Sequence, residues 1–264
     1  MSVSVMDGVS DSIVVEQSDG ICVVRLNRPR VGNAISAAMF ERLGDVFGEI
    51  DADDRIRVAV LTGTGDRAFC AGADLEEFIP TLTGGNLGAV IPDPSKRIFS
   101  DVYTPIIAAV NGACIAGGME LLLGTDIRLA AEHATFATPE TRLALVGAGG
   151  TVSRLARQVP WAAAMEMLLT GAPIDANRAR EVGLVNRVVP AADLLDEALR
   201  FAESICGAGP LATRATKEIV VKGAAMEASF GIEAELAGRV FGTEDAIEGP
   251  RSFVERRAPR FEGR

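Results

Sequence analysis

An α/β core followed by a helical C-terminal region is the fold class that the sequence predicts, and three observations predict it. Continuous apolar runs such as Val58 to Thr62 and Ile106 to Val110 read as buried strands. Up to about Gly150 these runs alternate with amphipathic stretches, the pattern of an α/β protein. Beyond Gly150 strand patterns become rare and helical patterns dominate. The chain has 264 residues, 48% of them hydrophobic, which suits one large domain, or a domain with a modest appendage.

In chain order, Ile13 to Val15 and Ile21 to Leu26 read as paired strands around an Asp19-Gly20 turn. Ser36 is a candidate cap for a helix to about Ala52 that places Met39, Leu43, Val46, Phe47 and Ile50 on one face. The strand at Val58 to Thr62 ends in the polar loop Gly63-Thr64-Gly65-Asp66. The segment Thr83 to Pro94 is rich in glycine and proline and reads as a flexible insertion. Strands follow at Ile106 to Val110, Ile127 to Ala130 and Thr135 to Ala137. Helices are then expected at Ala162 to Leu169, Asp175 to Glu181, Ala191 to Cys206, Leu211 to Ala225, Glu227 to Phe241 and Glu244 to Arg256. Strand-strand-helix units recur weakly along the first part.

Several function classes are disfavoured. The formal net charge of −10 would repel a polyanion, so nucleic acid is not an expected partner. One basic cluster exists, Arg251, Arg256, Arg257, Arg260 and Arg264, and it reads equally as a solvated helix end or as a phosphate contact. Cys22, Cys70, Cys114 and Cys206 include no CxxC pair and read as reduced thiols of a cytoplasmic protein. A single histidine, His133, argues against a Ser-His-Asp triad or a multi-histidine metal centre. Met1 to Ser12 has neither the basic start nor the apolar core of a signal peptide. The apolar stretch from Pro105 to Leu123 carries Asn111, Glu120 and several glycines, so it reads as strand, turn and helix and not as a membrane span.

Two glycine-bearing turns stand out. Ala71-Gly72-Ala73-Asp74-Leu75 offers either a backbone amide open to a ligand oxygen or a tight loop with Asp74 as a helix cap. Ala116-Gly117-Gly118 leads into a helix containing Glu120. It offers either an amide for a developing oxyanion or close helix packing. Glu120 sits among Met119, Leu121, Leu122 and Leu123. Burial there would raise its pKa towards neutral, which suits proton transfer. It lies three residues past Gly117, on the same helix face. Glu140 follows Thr138, a candidate N-cap, and Pro139, and reads either as a first-turn acid or as a second functional carboxylate.

Together these residues resemble the crotonase superfamily, the enoyl-CoA hydratase/isomerase group. The resemblance runs from Leu26-Asn27-Arg28-Pro29 and Asn33-Ala34 to Phe253-Val254-Glu255-Arg256-Arg257. Its strongest pieces are Phe69-Cys70-Ala71-Gly72-Ala73-Asp74-Leu75, Ala108-Ala109-Val110-Asn111-Gly112, Ala116-Gly117-Gly118-Met119-Glu120-Leu121 and Pro139-Glu140. The resemblance implies a spiral of β-β-α units over residues 1–200. It also implies a C-terminal α-helical trimerisation region over 201–264 that forms part of a CoA site. It implies a homotrimer or homohexamer that takes an acyl-CoA thioester, with no metal, flavin or nicotinamide. The N–H groups of Ala73 and Gly117 would form an oxyanion hole. Arg28, Ala34, Ala71, Asp74 and Leu75 would lie along the substrate.

Glu120 and Glu140 stand where the hydratase branch carries its two glutamates, the first as base on water and the second as proton donor. Where that branch has Pro-Gly after the second glutamate, this chain reads Leu145-Val146-Gly147-Ala148-Gly149. The water-orienting backbone is then Gly147 by motif or Ala148 by ungapped register. An isomerase, a thioester hydrolase and a non-catalytic acyl-CoA-binding protein are the other activities compatible with this pattern.

Overall fold

The computed structural model describes residues 12–75, 77, 91 and 93–263. The insertion expected over 83–94 lies outside the described residues except at 91, 93 and 94. In chain order the strands are β1 (Ile13–Ser18), β2 (Ile21–Leu26), β3 (Val58–Gly63), β4 (Ala68–Cys70), β5 (Ile106–Val110), β6 (Ala113–Ile115), β7 (Ile127–Ala131), β8 (Thr135–Ala137), β9 (Ile174–Asp175) and β10 (Arg187–Val189). The helices are α1 (Ala37–Ala52), α2 (Gly117–Leu122), α3 (Thr151–Gln158), α4 (Trp161–Thr170), α5 (Ala176–Glu181), α6 (Leu194–Cys206), α7 (Pro210–Gly223), α8 (Glu227–Phe241) and α9 (Glu244–Val254).

Two sheets hold the site. The larger runs β1-β2-β3-β5-β7-β10 and the smaller β4-β6-β8-β9. β1 and β2 form a hairpin whose turn residues, Asp19 and Gly20, both have positive φ, the geometry that matches strand twist. From β2 onward the larger sheet is parallel. The pairs β3–β4, β5–β6 and β7–β8 repeat one step: a strand in the large sheet, then a strand in the small one. Successive steps lie side by side, which is the spiral of β-β-α units.

Strand alternation divides the core. One face of the large sheet carries Val24, Leu61, Ala108 and Val110 and packs with α1 and the small sheet. The other carries Val23, Val60, Ile107 and Leu129 and packs under Leu194, Ala198 and Ala202 of α6. Because both faces are covered, β5 and the first four residues of β3 read as unbroken apolar runs. Ser36 caps α1, accepting a hydrogen bond from the Met39 N–H at 3.2 Å, and the five expected residues are the buried ones.

Some expectations need correction. The division placed at residue 200 falls inside α6, whose apolar face is part of the core, so the C-terminal helical region begins with α7. Thr138 is not a side-chain cap: its buried hydroxyl donates to the Met167 carbonyl at 2.9 Å, and Pro139–Leu143 is a 3-10 turn. Five elements carry no legible sequence pattern: β4, β6, β9, β10 and α3, with β9 and β10 only two and three residues long. β4 and β6 are three residues each, too short for periodicity. α3 is rich in arginine and preceded by two glycines. The C-terminal helices differ in burial. α8 buries Phe230, Glu233, Ala237 and Phe241, whereas α7 buries none of its residues in the monomer.

Candidate active site

β4, β6 and β8 are adjacent and parallel, with Cys70 opposite Cys114 and Ile115 opposite Ala137. Their C-terminal ends therefore open on the same side, the usual place for a ligand in a parallel sheet. β4 runs into Ala71-Gly72-Ala73, β6 into Ala116-Gly117, and β8 into Thr138-Pro139-Glu140. Ala73, Gly117 and Glu140, the outer two 67 positions apart, are thus delivered to one place by strand pairing.

The two glycine turns pack against each other. A β-carbon at Gly117 would lie 3.3 Å from the Ala73 nitrogen, and one at Gly72 would lie 3.1 Å from the Ala116 β-carbon. Gly72 has φ +109°, and Ala116 takes φ 49° and ψ −112°, a conformation that costs a side-chain-bearing residue about 1–3 kcal/mol. That strain sits directly before the Gly117 amide. The flanking amides are satisfied: Ala71 donates to Gly32, Asp74 to Ile35, Ala116 to Ala137, and Met119 to Ala116. The N–H groups of Ala73 and Gly117 have no protein acceptor among the described residues.

Both glutamates face the cavity beside these amides. Burial pushes the pKa of Glu120 up to about 7, opposed by the Gly149 N–H, which donates to Oε1 at 2.7 Å. Glu233 raises it further, while Arg97 and Arg154 lower it. Burial also raises Glu140, to about 8, with the charge of Glu120 adding to the effect. Glu140 Oε1 is buried and lacks a hydrogen-bond partner. The two carboxyls therefore differ. One is held as an acceptor by a backbone donor, and the other is left to carry its own proton.

The cavity measures about 1270 Å³, room for a large acyl thioester. Ala34, Ala71, Ala73, Asp74, Leu75, Gly117, Gly147 and Ala148 all line it. Arg28 does not. Its guanidinium donates to the Ala34 carbonyl at 2.7 Å and pairs with Asp74 at 3.0 Å, so it braces the loops that form the wall. A backbone donor reaches Glu120 from Gly149. Gly147 instead lies against Glu140: a β-carbon there would sit 3.1 Å from Oε1. Only the Gly149-Gly150 pair in the sequence hints at this. Arg97 and Glu233, both beside the site, had no sequence signal, being 136 residues apart. His133 is exposed and lies against the carbonyls of Asp66 and Asn111, outside the cavity lining. In the basic cluster, Arg257 pairs with Glu248 and Glu255 and Arg251 with Glu255, while Arg256 and Arg257 also line the cavity. No group of residues suited to a metal ion occurs among the described residues. No helix among them is long and apolar enough to cross a membrane.

The chain matches known proteins over nearly its whole length. Residues 16–264 fit the family model described as enoyl-CoA hydratase/isomerase. The enoyl-CoA hydratase EchA19 of Mycobacterium tuberculosis is 38% identical over 257 residues, 95% of this chain and 96% of that one. The (E)-benzylidenesuccinyl-CoA hydratase of Thauera aromatica is 39% identical over 95% of this chain and 99% of its own. Among solved structures, the carnitinyl-CoA hydratase from Mycobacterium avium superposes with a TM-score of 0.86 at 32% identity, covering 97% of this chain and all of that one.

Proposed function

The chain belongs to the enoyl-CoA hydratase/isomerase family, and we propose that within it the protein is a hydro-lyase, an enoyl-CoA hydratase. It adds water syn across a 2-trans-enoyl-CoA to give the 3-hydroxyacyl-CoA. The observation that carries this reading is two carboxyls, one accepting the Gly149 N–H and the other without a hydrogen-bond partner on Oε1, facing the same cavity as two unpartnered amides.

Water would lie between Glu120 and Glu140. Glu120, whose carboxylate form the Gly149 N–H supports, takes a proton from water as the oxygen bonds to C3. The π electrons move onto the thioester oxygen, where the N–H groups of Ala73 and Gly117 stabilise the charge. Each such donor is worth about 2.7–4 kcal/mol when judged by removal of comparable donors. Glu140 then gives its proton to C2 as the carbonyl re-forms. The cycle leaves Glu120 protonated and Glu140 ionised, and proton exchange with solvent restores both. No separate cofactor enters this scheme, since CoA arrives as part of the substrate, lying along Ala34, Ala71 and Leu75.

The test is loss of the conjugated thioester absorbance of crotonyl-CoA and of a longer 2-trans-enoyl-CoA. Turnover of either supports the assignment. Binding of both without hydration overturns it, and isomerisation of a 3-enoyl-CoA would then identify the isomerase alternative.

We further propose a trimer or a dimer of trimers. Leu211, Ile219 and Val220 on α7, with Ile232, Leu236, Ile247 and Phe253, are large apolar side chains left exposed in one chain. Light scattering is expected to give three or six times the chain mass of 27.6 kDa. A single-chain mass at micromolar concentration would exclude assembly. The unpaired thiols Cys22, Cys70, Cys114 and Cys206 fit a cytoplasmic location.

A further inference from the structure

We propose that the buried Arg97–Glu233 pair is a positioning device that fixes the 148–153 segment so that the Gly149 N–H is presented to Glu120. The proposal rests on the reading of Glu120 as the group that activates water. It extends that reading by giving α8 and the segment before β5 a part in the reaction.

The pair lies deep, with side-chain exposures of 1% and 2% and an Nε to Oε1 distance of 3.0 Å. Desolvation of both charges offsets most of their attraction at such depth, so net stability is a poor explanation for an ion pair there. What the pair holds is a better one. Arg97 Nε also donates to the Ala148 carbonyl at 2.6 Å. Its Nη1 donates to the carbonyls of Pro94 and Lys96, and its Nη2 to that of Phe230. The second oxygen of Glu233 accepts the Ser153 N–H at 2.9 Å. Ser153 lies in the first turn of α3, where N–H groups have no intrahelical partner, and the N-cap of that helix is Gly150, which has no side chain to offer. Glu233 supplies the missing acceptor from α8.

Gly149 is therefore flanked on both sides. The residue before it is held by its carbonyl and α3 after it by an N–H, while its own N–H sits 2.7 Å from Glu120 Oε1. The loop has little stiffness of its own, because positions 147, 149 and 150 are all glycine. Gly150 has φ +106°, and a β-carbon there would lie 3.2 Å from Arg97 Cγ, so the arginine stem packs directly on the loop. Phe230 completes the arrangement, with the guanidinium of Arg97 at 5.0 Å and that of Arg154 at 5.3 Å from its ring centre.

The test uses the full-length protein. Arg97→Met combined with Glu233→Leu replaces the pair with apolar side chains, an exchange that commonly preserves folding. Melting temperature is the folding control. Two readings follow. Hydrogen exchange at Gly149 without substrate is expected to accelerate at least about tenfold. With crotonyl-CoA, kcat is expected to fall by roughly 10- to 100-fold, as for a displacement of about 1 Å, while KM stays within about threefold. Arg97→Lys, which keeps the charge but reaches fewer acceptors, is expected to fall between.

A folded double variant with unchanged Gly149 exchange and unchanged kcat overturns the proposal. If the double variant does not fold, Arg97→Lys decides by the same two readings. If the wild-type protein does not hydrate crotonyl-CoA, the functional assignment fails on its own, and the exchange measurement still decides whether the pair holds the loop.

Discussion

Glu140→Gln is expected to abolish most hydration while making the protein more stable in alkali. Glutamine keeps the shape but cannot deliver a proton to C2, so kcat should fall by about 10²- to 10⁴-fold with thioester binding retained. Glu120→Gln should behave alike, through loss of the base. The pH profile of the wild type carries the same information. Glu120 must be ionised, so activity rises through about pH 7, and Glu140 must be protonated, so activity falls above about pH 8. The two limbs belong to the pair, not to either residue alone.

The stability sign follows from linkage. Burial raises the folded-state pKa of Glu140 to about 8 from an ordinary value of 4.5. The native state therefore holds its proton more tightly than the unfolded chain. Stability is fully present below the ordinary value and is lost as pH rises through about 8. Glu140→Gln should match the wild type at about pH 4 and exceed it at about pH 9, by roughly 1–3 kcal/mol after allowance for water in the cavity. Thermal melts at the two pH values check this. A variant no more stable at pH 9 would mean that Glu140 is not held in a desolvating site.

Gly149→Ala is expected to be nearly neutral for folding and severe for activity. The added β-carbon would lie 2.2 Å from Glu120 Oε2 and 2.4 Å from its carboxyl carbon. The carboxyl ends a flexible side chain, so the contact is relieved by swinging it away at little cost in stability. The same movement takes the base off the water and off the Gly149 N–H. A displacement of this size is expected to lower kcat by about 100-fold, with KM little changed. Gly118→Ala makes a useful contrast. There the clash, at 2.4 Å, is with the Cys70 carbonyl, which is backbone and cannot step aside, so the loss should appear in the melting temperature. Gly149→Ala with full activity would show that Glu120 does not depend on its present placement.

Much of this was legible in the sequence, for stated reasons. Residues 58–61 and 106–110 are apolar without interruption because their strands are buried on both faces. The burial of Glu120 followed from its four apolar neighbours. The Ala73 and Gly117 turns were visible as small-residue clusters, and the glutamate pair by resemblance. The site residues so identified converge on the cavity except Arg28, whose charge is spent on Asp74.

What the sequence determined by itself is local or periodic: the strand runs, the Ser36 cap, the glycine turns and the apolar setting of Glu120. These depend on neighbours within a few positions, so a single chain read in order contains them. The tertiary structure alone decided the rest. The parallel pairing of β4, β6 and β8 brings two amides and Glu140 to one opening. The Gly149 N–H became the donor to Glu120. A buried arginine and a glutamate on α8, 136 residues apart, came to flank that donor. Such contacts have no period and no fixed spacing. They are set by how sheets and helices pack once formed, and that packing is specified by the whole core at once.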